Sequence, residues 1–133
     1  MGVATQDTSV EFTQAHVLAK HVLVVEDEPL LRILIADELK DRGYDVCEAQ
    51  DADAALSILT SREFDLLLTD VQMPGSMNGL GLAERARSDR PTMKIIIFTG
   101  NAPQGGHGTV ADMILKKPVD FSVLLDNVRA LLN

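Results

Sequence analysis

The chain has 133 residues, a length typical of one domain, and a domain of this size buries an ordinary core without disulfide bonds. Hydrophobic residues make up 46% of the sequence and charged residues 24%, which is typical of soluble globular proteins. The net charge of -8 argues against a nucleic-acid-binding surface, and the single cysteine, Cys47, excludes an internal disulfide.

The sequence carries no recognisable targeting or membrane signal. No apolar run approaches the roughly 20 residues of a membrane-spanning helix, and residues 1–19 lack the apolar centre of a secretion signal. We therefore expect a cytoplasmic protein that does not bind membranes. Residues 1–19 are polar and aperiodic and are predicted to form a flexible tail, and residues 20–133 are predicted to form one domain.

From residue 21 onward, predicted strands alternate with predicted helices. Short apolar runs bounded by turn residues predict strands, and apolar residues three or four apart predict helices. The predicted elements, in chain order, are strand 21–25, helix 29–42, strand 44–49, helix 51–61, strand 66–70, helix 78–89, strand 94–99, strand 113–116 and helix 121–132.

Alternation of this kind predicts an α/β fold with a parallel sheet and right-handed crossovers. Five strands fit the flavodoxin-like, doubly wound order 2-1-3-4-5, whose switch point lies between the first and third strands. Residues 100–109 interrupt the alternation, because four glycines and a proline disfavour a helix there. We therefore predict a Gly-rich loop in place of the fourth crossover helix.

Chemically reactive side chains follow three of the predicted strands. Glu26 and Asp27 come directly after the first strand, Asp70 closes the third, and Thr99 closes the fourth. Ligand sites of open parallel sheets lie outside the carboxyl ends of the strands, so we expect these side chains to converge. Carboxylates that converge repel one another, and Mg²⁺, which takes six oxygen ligands, resolves that repulsion.

This set of donors predicts phosphoryl transfer to Asp70. An aspartate held by a metal stays ionised and can attack a phosphoryl group. The transfer depends on positioning and on neutralising charge at the transferring oxygens, and Mg²⁺, the Lys117 ammonium and the Thr99 hydroxyl can supply that neutralisation. Asp27 and Asp70 are the expected metal ligands, and Glu26 would bind the metal directly or through water.

Four segments, in this order, resemble the receiver domain of two-component response regulators. They are residues 24–29, 68–74, 98–100 and 115–118, and the resemblance extends over about residues 20–132. It implies that Asp70 is the phospho-acceptor, that Asp27 is the main metal ligand and that Glu26 is the second acid. It also implies that the backbone carbonyl of Gln72 is the third protein ligand of the metal.

The resemblance further implies a switching mechanism, and one of the chain's departures from the family pattern concerns this switch. Thr99 corresponds to the hydroxyl that moves towards the phosphoryl group, and Lys117 corresponds to the lysine of the pocket. The aromatic residue that usually stands three positions before this lysine is replaced here by Ile114. The usual coupling between threonine and aromatic residue is therefore not expected in this chain.

The expected function is that of a bacterial single-domain response regulator. It would take a phosphoryl group from a histidine kinase or a phosphotransfer protein, and signal by docking to a downstream protein. It would catalyse its own phosphorylation and slow dephosphorylation and no other reaction. A hydrolase of the haloacid dehalogenase type needs an acid two residues after the nucleophile, where Gln72 stands. A pseudo-receiver that binds partners without phosphorylation is the other alternative.

Overall fold

The computed structural model describes residues 19–100 and 110–133 of the chain. Within these ranges, five strands alternate with four helices. In chain order they are β1 (His21–Val25), α1 (Pro29–Asp41), β2 (Asp45–Ala49), α2 (Ala52–Ser61), β3 (Leu66–Asp70), α3 (Gly79–Asp89), β4 (Lys94–Thr99), β5 (Met113–Lys116) and α4 (Phe121–Leu132). The predicted bounds of β1, β3, β4, β5 and α4 are confirmed.

The other four elements differ from the prediction by one residue at one end each. The prediction made Asp51 and Asn78 the first residues of α2 and α3, but both are N-caps that precede the helix. The Asp51 carboxylate accepts a hydrogen bond from Ala54 N, and the Asn78 side chain accepts one from Gly81 N. Each cap satisfies a backbone N–H that the first turn of a helix leaves without a partner.

The strands form one parallel sheet in the order β2-β1-β3-β4-β5, which confirms the doubly wound, flavodoxin-like architecture. The chain order reverses between β1 and β3, at the predicted switch point. Val25 pairs with Thr69, and Asp70 pairs with Phe98. This register brings the carboxyl ends of β1, β3 and β4 to the same edge of the sheet.

Among the described elements, two helices pack against each face of the sheet. Successive side chains of a strand point to opposite faces, so Leu23 and Leu67 pack with α2 and α3, whereas Val22 and Leu66 pack with α1 and α4. Burial on both faces explains why β1, β3 and β4 are almost continuously apolar in sequence. In these three strands, polar side chains are therefore confined to the strand ends.

Two of the sequence predictions lie outside the described residues. The structure describes neither residues 1–18 of the predicted tail nor residues 101–109 of the predicted Gly-rich loop. The tail, the domain boundary at residue 20 and the loop therefore stay predictions. In the part of the chain that is described, no helix has the length and apolar character that crossing a membrane requires.

Arg87, near the end of α3, connects three segments of the fold. Its guanidinium donates to the Met93 carbonyl at 2.6 Å, to the Val110 carbonyl at 3.0 Å and to the Asp112 carboxylate at 2.8 Å. The same Asp112 oxygen accepts a hydrogen bond from Ile95 N at 2.8 Å. Arg87 therefore joins α3 to the beginning of β4 and to the residues that lead into β5.

We expect the substitution Arg87→Met to lower the free energy of unfolding by about 2–3 kcal/mol, because a partly buried carboxylate and several carbonyls lose a charged donor. Urea denaturation would measure this loss. Arg85→Met is the matched control on the same helix, because Arg85 forms an exposed i,i+4 ion pair with Asp89, worth less than about 0.5 kcal/mol. Equal losses in the two variants would contradict the prediction.

Candidate functional site

Three carboxylates meet at the carboxyl ends of β1 and β3. Glu26, Asp27 and Asp70 each place a carboxylate oxygen within 4.8 Å of the other two. Glu26 and Asp70 are only 1% and 4% exposed, whereas Asp27 is exposed to solvent. The structure therefore brings together the three acids that the sequence placed at this edge, and one of them faces open solvent.

The Lys117 ammonium contacts two of these acids. Its Nζ donates to Asp70 Oδ2 at 2.9 Å and to Glu26 Oε1 at 3.0 Å. The backbone N–H of Lys117 donates to the Thr99 carbonyl at 2.8 Å, so the end of β4 holds the residue that carries the ammonium. The structure thus places Lys117 inside the acidic cluster and not in bulk solvent.

Burial and charge shift the protonation of this cluster. Burial and the neighbouring Asp70 carboxylate raise the pKa of Glu26 to about 7, and the Lys117 ammonium only partly offsets them. Burial acts to lower the pKa of Lys117, but its hydrogen bonds and ion pairs with both acids outweigh burial and raise that pKa above 10.5. Lys117 is therefore charged at neutral pH, whereas Glu26 holds a proton more tightly than an ordinary glutamate does.

One oxygen of the cluster lacks a partner. Among the residues that the structure describes, Glu26 Oε2 is the buried side-chain atom without a hydrogen bond. A buried polar atom of this kind is costly unless something binds it. It belongs to the group of carboxylates formed with Asp27 and Asp70, and oxygen donors of this type are the ligands that Mg²⁺ prefers. The residues present therefore fit a divalent cation.

Thr99 and Gln72 lie beside the acids. Thr99 closes β4 one residue after Phe98, the pairing partner of Asp70, and is 3% exposed. The backbone N–H of Gln72 donates to Asp70 Oδ1 at 3.3 Å. All the site residues predicted from the sequence thus lie at one edge of the sheet, while the role of each one, including the Gln72 carbonyl as a metal ligand, stays a prediction.

Two residues that the sequence did not single out also contact Asp70. The Thr69 hydroxyl donates to the Asp70 carbonyl at 2.9 Å, and Gly79, the first residue of α3, lies against the same carbonyl. In the sequence, Thr69 was only a strand residue and Gly79 only a helix start. The available signal was a glycine that follows an aspartate at the end of a strand. That pattern does not indicate which backbone atoms the glycine contacts.

A separate cavity of about 540 Å³ opens at the opposite end of the sheet, where the strands begin. Its lining includes His21, Asp65 and Lys94, and none of the predicted site residues contributes to it. Size alone would favour this cavity as a ligand site. The convergence of buried carboxylates and an ammonium at the other end is the stronger indication of chemistry, because perturbed titratable groups cluster at functional sites.

Comparison with known proteins identifies the family. The model of the response regulator receiver domain matches residues 22–129 of the chain. The chain therefore belongs to the receiver domains of two-component response regulators. Receiver domains are signalling domains and not classical enzymes, and the relatives found here include many from bacteria.

Individual relatives agree with this assignment. The sensor histidine kinase RcsC of Escherichia coli is 37% identical over 107 residues, which cover 77% of this chain and 11% of RcsC. The chain thus spans about a tenth of that relative. The response regulator TrrA of Thermotoga maritima, solved in complex with Mg²⁺-BeF, is 34% identical with a TM-score of 0.79, covering 85% of this chain and 99% of TrrA.

A CheY-like receiver domain from Methanospirillum hungatei is also similar to this chain. It is 31% identical with a TM-score of 0.79, and the match covers 86% of this chain and 94% of that one. The chain is therefore similar, over most of its length, to solved receiver domains.

We expect the metal-free protein to lose stability as the pH rises, because of Glu26. A carboxyl group whose folded pKa exceeds its unfolded value binds more protons when folded, so its contribution to stability is lost as pH rises between the two values. For Glu26 these values are 4.5 and about 7. The difference corresponds to about 3 kcal/mol.

Urea denaturation of wild type and of Glu26→Gln, without divalent cations, would measure this effect. Between about pH 4 and pH 8, the free energy of unfolding of wild type should fall by about 3 kcal/mol relative to the variant. The comparison removes the contributions of the titratable groups that do not contact Glu26, which the two proteins share. A difference that stays constant with pH would contradict the prediction.

Proposed function

We propose that this receiver domain accepts a phosphoryl group on Asp70, from a histidine kinase or a histidine phosphotransfer protein, in a Mg²⁺-dependent reaction. The observation that carries the proposal is the contact of Lys117 with both Asp70 and Glu26 in a cluster that also contains Asp27. A buried nucleophile beside a cation and surplus carboxylates suits phosphoryl transfer, which depends mainly on positioning and charge neutralisation.

Asp27, Asp70 and Glu26 would hold the metal, the last directly or through water, together with the backbone carbonyl of Gln72. Support for this set comes from the oxygen distances within the cluster and from the unpartnered Glu26 Oε2. When bound, Mg²⁺ neutralises the carboxylates and the charge on the transferring phosphoryl oxygens. Because the pKa of Glu26 is raised, a metal ion and a proton would compete for this carboxylate.

In the proposed transfer, Asp70 is the nucleophile. One Asp70 carboxylate oxygen forms a bond to phosphorus while the phosphorus–nitrogen bond of the phosphohistidine breaks, and the departing imidazole nitrogen takes up a proton from solvent. Lys117, already held against Asp70, supplies a positive charge to the incoming phosphoryl oxygens. Phosphorylation adds about -1.5 to -2 charge, and Thr99 and Lys117 then reorganise around the new group.

The alternatives have less support. The position two residues after Asp70 holds Gln72, which lacks the acid that a hydrolase of the haloacid dehalogenase type uses. A pseudo-receiver would not need a charged lysine in contact with a buried aspartate, and here that contact is 2.9 Å. Action as a single-domain protein, a cytoplasmic location, docking to an unidentified downstream protein and the absence of nucleic-acid binding stay predictions.

Incubation with a small acyl phosphate and Mg²⁺ tests the proposed reaction. We expect the wild-type chain to gain the mass of one phosphoryl group, and Asp70→Asn to gain none, because it lacks the nucleophile. Intact-protein mass spectrometry measures the gain. Asp53→Asn is the matched control, since this exposed acid contacts Ser76 outside the acidic cluster and its loss should leave the reaction unchanged. A wild-type chain that stays unmodified would favour the pseudo-receiver.

Metal binding can be tested without phosphorylation. Mg²⁺ at about a hundred times its dissociation constant should stabilise the wild-type chain against urea by about 2.7 kcal/mol. Asp27→Asn should raise that dissociation constant by about tenfold or more, because it removes a charged ligand. Glu28→Gln is the matched control, with the same loss of charge one residue away and outside the cluster. Equal effects of the two substitutions would exclude Asp27 as a metal ligand.

A further inference from the structure

The backbone carbonyl of Asp70 is packed directly against the first residue of α3. A Cβ atom added to Gly79 would lie 1.6 Å from the Asp70 carbonyl oxygen and 2.6 Å from its carbonyl carbon. It would also lie 2.9 Å from the Thr69 hydroxyl oxygen. Real Cβ atoms do not approach other atoms this closely, so only glycine fits, and the requirement comes from the close approach of two backbones.

The same carbonyl is held from a second direction. The Thr69 hydroxyl is fully buried and donates to the Asp70 carbonyl oxygen at 2.9 Å. The adjoining peptide is also fixed, because Gly79 N donates to the Val71 carbonyl at 2.9 Å and Val71 N donates to the Phe98 carbonyl at 3.2 Å. The backbone that carries the Asp70 side chain therefore contacts β4, the Thr69 hydroxyl and the start of α3.

We propose that Gly79 and Thr69 are positioning residues for Asp70, because they hold its carbonyl between them and so fix the carboxylate where Lys117 meets it. The proposal rests on the proposed function, in which Asp70 is the nucleophile. Neither residue would contact the transferred group. Both act through the backbone of Asp70.

The packing of α3 indicates which part of the structure would yield to a larger residue. Leu82, Ala83 and Ala86 bury α3 in the core against the sheet, so the helix cannot move away without opening that core. The peptide after Asp70 is held by single hydrogen bonds, from the Thr69 hydroxyl to its carbonyl and from its Val71 N–H to the Phe98 carbonyl, so it can shift more readily than a helix buried in the core. A Cβ at position 79 should therefore displace Asp70 from Lys117.

Gly79→Ala should lower the initial rate of phosphorylation by the acyl phosphate by about 100-fold, because a shift of about 1 Å at a reacting group has an effect of this size. Gly81→Ala is the matched control on the same helix, since its Cβ would meet Met77 Cγ at 2.9 Å and that flexible side chain can move. It should keep the wild-type rate. Rates are measured at saturating Mg²⁺ and well below each variant's melting temperature, so that the folded fraction is the same.

Two substitutions of Thr69 test the second contact and do not depend on whether Gly79→Ala folds. Thr69→Val keeps the shape but removes the donor, and should lower the rate by about fivefold, the equivalent of one hydrogen bond. Thr69→Ser keeps the hydroxyl and should restore the wild-type rate. Loss of rate in both variants, or in neither, would contradict the positioning role of Thr69.

The outcomes separate this inference from the proposed function. Equal rates of phosphorylation in wild type, Gly81→Ala and Gly79→Ala would show that the positioning role of Gly79 is wrong. The same result would support the proposed function. If wild type is not phosphorylated, the function is wrong, and crystal structures of the Gly79→Ala and Thr69→Val variants decide the inference. An Asp70–Lys117 contact that stays at 2.9 Å in those variants would overturn it.

Discussion

Two buried carboxylates share one ammonium, and the rest of the site depends on that shortage of positive charge. Lys117 contacts both Asp70 and Glu26, yet one Glu26 oxygen is left without a partner, and the pKa of Glu26 rises to about 7. Removing charges from water is expensive unless each is compensated. The cluster therefore fits a further cation, which is the group that the proposed function requires there.

The fold makes this arrangement possible because apolar side chains are buried between the sheet and the helices, whereas the reactive polar side chains lie at the strand ends. Both faces of the sheet are covered by helices, so the cores contain almost only aliphatic side chains. The ends of the strands are free to carry Glu26, Asp70 and Thr99, each buried but directly adjacent to a loop. Parallel pairing gives every strand the same direction, so these ends gather at a single edge.

Several residues connect the functional site to the helices and the sheet. Arg87 holds the residues before β5, the strand that leads to Lys117, and Gly79 allows α3 to begin against the Asp70 carbonyl. Thr69 is buried within β3 and at the same time donates to that carbonyl. We infer that the placement of the acid depends on the packing of α3, β3 and β5 and not on the loops alone.

The amino-acid sequence by itself determined the element order, most boundaries, the sheet topology and the set of residues at the edge, because apolar periodicity and strand-end position are local signals. Asp51 and Asn78 were predicted to be the first residues of their helices but are N-caps, since a cap and a first helical residue look alike in sequence. Only the tertiary structure decided the double contact of Lys117, the pKa of Glu26 and the need for glycine at position 79. Each of these depends on distances between segments far apart in the chain, and such distances are fixed only when helices and sheet pack together.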